Sequence, residues 1–169
     1  MKNSLFISIV VSCIFTSNFY TNPQLVQERK NAIELQKKIA VENETKEKLL
    51  LAFKKANKKY SEDGFHQVWN LLDEQPLQDK IILSSISYCE SGFNQSAVNT
   101  KNKNGTTDGG LWQINSVHKI SNVKDPIVNR NKTLELYENG KGIGNWNSSK
   151  HCWKPIIDKF AKDSKFAML

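Results

Sequence analysis

Cysteine, histidine, proline and glycine are scarce in this 169-residue chain, with 3, 3, 4 and 8 copies. His66, His118 and His151 have no metal-ligand spacing, so no metal centre is expected. Neither zinc-finger spacing nor an RNP-like aromatic run is present, and no nucleic-acid partner is expected. There is no internal repeat and no alternating strand–helix rhythm, which argues against a doubly wound α/β sheet. The longest uncharged apolar stretch lies at the N-terminus and is too short to span a bilayer once folded. The length excludes a large multidomain enzyme and suits one modest domain with an extension. With 38% hydrophobic and 24% charged residues, the composition is not that of a disordered chain.

What the N-terminus has is an ordered set of signals. Lys2 precedes an apolar run from Leu5 to Phe15, broken only by Ser8 and Ser12, and Thr16-Ser17-Asn18 follows. This order predicts a secretory signal peptide over residues 1–22 and an exported protein, periplasmic or extracellular. A second reading takes Val10-Val11-Ser12-Cys13 as a lipoprotein box that leaves Cys13 lipidated. With that segment removed, Cys89 and Cys152 remain, and an even count in an oxidising compartment predicts a disulfide; two buried thiols are the alternative. Charge is unevenly placed. Residues 24–75 carry 10 basic and 9 acidic side chains, whereas residues 76–169 carry 13 and 8. The basic C-terminal half suits an anionic partner such as anionic lipid or bacterial cell wall, without choosing between them.

Gln24 to about Tyr60 contains no Gly or Pro and is rich in Lys, Glu, Leu and Ala, which predicts a long helix. A heptad fits it imperfectly, with Glu28, Glu42 and Lys46 interrupting, so an amphipathic spacer or a helix lying on the main domain is expected rather than a coiled coil. A protein partner for the 24–60 helix is a further expectation. Ser61-Glu62-Asp63-Gly64 reads as a turn, followed by a short helix from Phe65 to Asp73. Pro76 suits the first turn of the next helix, about Leu77 to Cys89. Asn104-Gly105 signals a hairpin, and Asp125-Pro126 starts a helix expected to reach Asn139 and stop at Gly140. Trp146 to Trp153 reads as a compact turn region and Ile156 to Phe166 as a terminal helix.

Two carboxyls carry the chemistry. Glu90 stands at the end of an apolar helix, between Cys89 and Phe93. A carboxyl in an apolar pocket has its pKa raised, because its charged form is desolvated, and it can then donate a proton near neutral pH. Asp108 follows the polar turn and precedes Gly109-Gly110-Leu111-Trp112. A second carboxylate in a polar turn stays ionised, and this division of labour is the logic of glycoside cleavage, for which lysozyme is the standard case.

Three ordered blocks surround these residues: Glu90-Ser91-Gly92-Phe93-Asn94, then Ala97-Val98-Asn99, then Asn104-Gly105-Thr106-Thr107-Asp108 running into Gly110-Leu111-Trp112-Gln113-Ile114-Asn115-Ser116. Together they resemble the lysozyme-like superfamily, above all bacterial lytic transglycosylases of the soluble-transglycosylase type and, beyond them, c-type lysozymes. The resemblance covers about residues 78–153. It implies a mainly α, lysozyme-like α+β fold in which a helical lobe and a small β-hairpin flank a substrate cleft. The long N-terminal helix is then an extension over residues 23–75, ahead of a lysozyme-like transglycosylase domain over residues 76–169. It also implies that a peptidoglycan glycan strand is the partner and that no cofactor is needed.

By the same resemblance, Glu90 matches the catalytic acid, Ser91 the adjacent serine that orients it, and Gln113 and Asn115 cleft residues that hydrogen-bond sugars. Trp112 stands at the hydrophobic position of its block and would either stack on a sugar or belong to the core. Asp108 matches the second carboxylate of c-type lysozymes, although many transglycosylases carry an Asp there and rely on one glutamate; capping its own turn is the plain alternative. The family's Ala-Tyr-Asn-x-Gly block is missing. In its place stand Leu136-Tyr137-Glu138-Asn139-Gly140 and the Trp146-to-Trp153 segment, and Trp146 is expected to form that wall of the cleft.

Overall fold

The computed structural model describes residues 22–56 and 58–162. The expected signal segment and Cys13 therefore lie outside the described residues, apart from Asn22. The chain divides into two units, residues 1–44 and 45–169. Helix α1 (Pro23–Lys55) runs through the boundary. Asn22 caps it, its Oδ1 accepting from the Gln24 amide at 3.0 Å, and Pro23 fits the first helical position. In the first unit Val26, Ile33, Leu35 and Ile39 of this helix are exposed. No helix among the described residues is long and apolar enough to cross a membrane.

The second unit begins earlier than the expected boundary at residue 76. Leu49, Leu50 and Phe53, on the last turns of α1, are buried. The Phe53 ring stacks on Tyr88 with centroids 4.4 Å apart and meets Phe65 and Phe93 edge-on at 5.6 and 5.3 Å. Leu49, Leu50, Phe53, Phe65, Val68, Trp69 and Leu72 thus supply core to the second unit. Helix α2 (Glu62–Leu71) starts at the segment expected to be a turn. Ser61 is its cap, accepting from the Gly64 amide at 2.9 Å, and Glu62 and Asp63 sit at its positive end. Gly64 is needed inside that first turn because a Cβ there would lie 2.4 Å from the Phe93 carbonyl oxygen.

Helix α3 (Leu77–Ser91) is the central element, buried from Lys80 to Cys89 apart from the half-buried Ile82, and it packs on α2 and on α5 (Lys150–Ala161). The expected small β element follows as three short antiparallel strands: β1 (Val98–Asn99), β2 (Asp108–Gly109) and β3 (Ile114–Asn115). Their register pairs Asp108 with Asn99 on one side and with Asn115 on the other. The β2–β3 turn depends on Gly110, whose φ of 79° and 2.3 Å approach to Asn129 Nδ2 exclude a Cβ.

Helix α4 (Pro126–Tyr137) is capped by Asp125, whose Oδ1 accepts from the amides of Ile127 and Val128 at 2.9 and 3.0 Å. It stops two residues before the expected end because Glu138 and Asn139 turn left-handed. The Trp146 region is a run of 3-10 turns, Ile143–Ser149, that passes directly into α5 at Lys150, ahead of the expected start at Ile156. The expected end at Phe166 lies outside the described residues. The architecture is mainly α with one small antiparallel sheet.

Candidate active site

Glu90 occupies the penultimate position of α3 and faces a cleft of about 540 Å³. Asp108 and Asn115 from the sheet and Gln113 from the β2–β3 turn line the same cleft, as do Trp146 and Ser148 from the 3-10 segment. Two residues to which the sequence assigned no role hold the Glu90 region. The Ser149 hydroxyl donates to Glu90 Oε1 at 2.6 Å. The Lys58 ammonium, arriving from the loop after α1, donates to the Cys89 carbonyl next to Glu90. Burial pushes the Glu90 carboxyl above its ordinary pKa; the Ser149 hydrogen bond and the Lys58 charge pull it back, and the Asp108 charge adds to the rise. Burial holds Lys58 below the usual ammonium value, with Glu90 opposing that shift.

The disulfide forms between Cys89 and Cys152, 63 residues apart in sequence. It ties the end of α3, one residue before Glu90, to the first turn of α5, three residues after Ser149. In the chain-entropy account such a loop closure stabilises the fold by about 4 kcal/mol.

Asp108 does not cap its turn. Its Oδ2 accepts from Asn99 Nδ2 at 3.1 Å and Asn102 Nδ2 at 2.9 Å, and its Oδ1 accepts from Asn115 Nδ2 at 2.6 Å. The strand register explains two of these donors, since Asn99 and Asn115 flank Asp108 on neighbouring strands. Turn capping falls instead to Asn99 and Asn104, which accept from the amides of Lys101 and Thr106 at 3.1 and 3.2 Å. The Asn115 amide nitrogen is committed to Asp108 and to Thr106 Oγ1, and its Oδ1 accepts from the Val117 amide. Gln113 donates to the carbonyls of Gly110 at 2.9 Å and Ala97 at 3.2 Å.

Trp112, Trp146 and Ser91 are placed as follows. Trp112 is fully buried, with its indole N–H on the Leu83 carbonyl at 2.8 Å. Of its two readings the core one is what the packing allows, since no ring face reaches the cleft for a sugar. Trp146 backs the cleft with its ring buried and its N–H on the Trp112 carbonyl at 2.9 Å. The Ser91 hydroxyl donates to the Leu111 carbonyl at 2.7 Å, which fastens α3 to the β2–β3 turn; the hydroxyl on Glu90 is that of Ser149. No group of three His, Cys, Asp or Glu side chains suited to a metal ion occurs among the described residues. The arrangement offers one carboxyl biased toward its protonated form, a second carboxyl held by three amides, and a polar groove between them.

No curated protein matches the chain. Among solved structures, a lysozyme from Litopenaeus vannamei is similar at 21% identity, over 61% of this chain and 95% of that chain, with a TM-score of 0.41. The lysozyme-like domain family matches residues 75–148, a stretch that contains Glu90, the sheet and α4. Residues 75–148 therefore belong to the lysozyme-like domain family.

Proposed function

We propose that the protein is a peptidoglycan lytic transglycosylase that cleaves the β-1,4 bond between MurNAc and GlcNAc. The observation that carries this reading is Glu90, half-buried on the cleft wall and biased toward its protonated form by burial. Glu90 gives its proton to the bridging oxygen as the bond from that oxygen to MurNAc C1 breaks. The resulting carboxylate takes the proton of the MurNAc C6 hydroxyl as that oxygen bonds to C1. A 1,6-anhydro end forms, Glu90 regains its proton, and no water is consumed. The lysozyme-like domain supports a glycosidic-bond-cleaving activity of this kind.

A lysozyme-type hydrolase is the second reading, favoured by a specific observation: Asp108 shares the cleft and is held at both oxygens by three amide donors. There it would stabilise the positive charge at C1 while water attacks. Digestion of purified sacculi, with masses taken of the released muropeptides, decides between the two. Anhydro products, lighter by one water than reducing ends, are expected, with Asp108→Asn retaining anhydro product. Reducing MurNAc ends, together with loss of turnover in Asp108→Asn, would establish hydrolysis. Wild-type protein that binds sacculi but releases nothing, with Glu90→Gln binding equally, would reduce the domain to a wall-binding or chitin-binding module.

A further inference from the structure

Ser149 stands immediately before helix α5, where a serine normally accepts from the amides of the first helical turn. It does not do so: no side-chain cap bond forms there. The hydroxyl instead points across to α3, 2.6 Å from Glu90 Oε1 and 3.2 Å from the Trp146 carbonyl. A hydroxyl has one proton, and the shorter claim on it is the carboxyl. Glu90 Oε2 has no hydrogen-bond partner among the described residues, and Glu90 lines the cleft. The two carboxyl oxygens are therefore inequivalent.

We propose that Ser149 is the positioning residue of Glu90: by donating to Oε1 it fixes the carboxyl's orientation and leaves Oε2 as the oxygen that carries the proton into the cleft. This rests on Glu90 acting as the acid. The Cys89–Cys152 disulfide holds the two ends of the contact together, and the Trp146 carbonyl is a second acceptor beside the hydroxyl at 3.2 Å. The charged and titratable groups facing Glu90 are Lys58 from the loop after α1, Asp108 from β2, and Lys103 and His118 on the cleft rim. None of them makes a hydrogen bond to its carboxyl. Removing the hydroxyl withdraws a donor that favours the carboxylate, so the neutral form gains and the titration moves to higher pH.

The test is a carbon-13 NMR titration of the side-chain carboxyls in the full chain, with Glu90→Gln identifying the Glu90 signal. Ser149→Ala is expected to move that titration upward with little change in Tm, because no helix cap is lost, and to lower turnover roughly tenfold. Ser149→Thr, which keeps a hydroxyl, is expected to restore both. Should the alanine variant unfold, Ser149→Cys supplies a near-isosteric weak donor and the same upward movement. A folded alanine or cysteine variant whose Glu90 titrates as in the wild type would overturn the proposal. The titration decides this even if sacculi are not cleaved, so failure here is distinct from failure of the transglycosylase reading.

Discussion

Burial of Glu90 has a cost in stability that depends on pH. Its folded-state pKa is raised, so the unfolded chain loses this proton first as pH rises. Below the ordinary glutamate range the group contributes nothing. Through the window between that range and the raised folded value, the native state loses stability as pH rises. Glu90→Gln is expected to flatten the decline across that window, measured by urea midpoints over a pH series, and to abolish glycan cleavage. An unchanged pH profile of stability in that variant would contradict a desolvated carboxyl. Glu90 itself was legible in the sequence, because an apolar helix end and three ordered blocks frame it. Ser149 and Lys58 were not. They meet the Glu90 region from 59 and 31 positions away in the chain, distances that only tertiary packing brings together. Trp112 could be read either way, since an indole in a hydrophobic block fits both a sugar platform and a core until its N–H is seen on a backbone carbonyl.

Helix starts are legible in the sequence where a chemical signal marks them, as at Pro76 and at Asp125-Pro126. At Ser61 a cap and an acidic first turn resemble a loop in sequence because Gly64 follows them. That glycine answers to the Phe93 backbone, a contact invisible in sequence. Helix α5 begins six residues ahead of the expected Ile156 because the 3-10 segment passes straight into it at Lys150 without a break. The C-terminal part of α1 is core. Phe53→Ala is expected to destabilise the protein by about 3–5 kcal/mol, as for other buried phenylalanines, which chemical denaturation would read directly. A loss under 1 kcal/mol would show that the aromatic cluster around Tyr88 is not the centre of the fold.

At the scale of the molecule, the packed unit and the family match do not share a boundary. The match begins at residue 75, whereas the unit begins at Thr45. A chain shortened to residues 45–169 is expected to unfold cooperatively with a Tm within about 3 °C of the full chain. One shortened to 76–169 loses Phe53, Phe65, Val68 and Trp69 from the core and is expected not to fold. Near-UV circular dichroism and thermal scans of the two fragments check both outcomes. The sequence resemblance located the cleft but not this outer limit, because resemblance follows the residues around the chemistry while stability follows the apolar contacts beneath them.

The cystine between residues 89 and 152 has a consequence for when the molecule becomes competent. It joins the two segments that carry Glu90 and Ser149, so thiol reduction is expected to slacken that pair and lower turnover before the helices melt. A newly made chain still surrounded by reductant would carry its acid without the clamp. Oxidation of the two thiols would then complete the clamp and bring the acid and its hydroxyl partner into register.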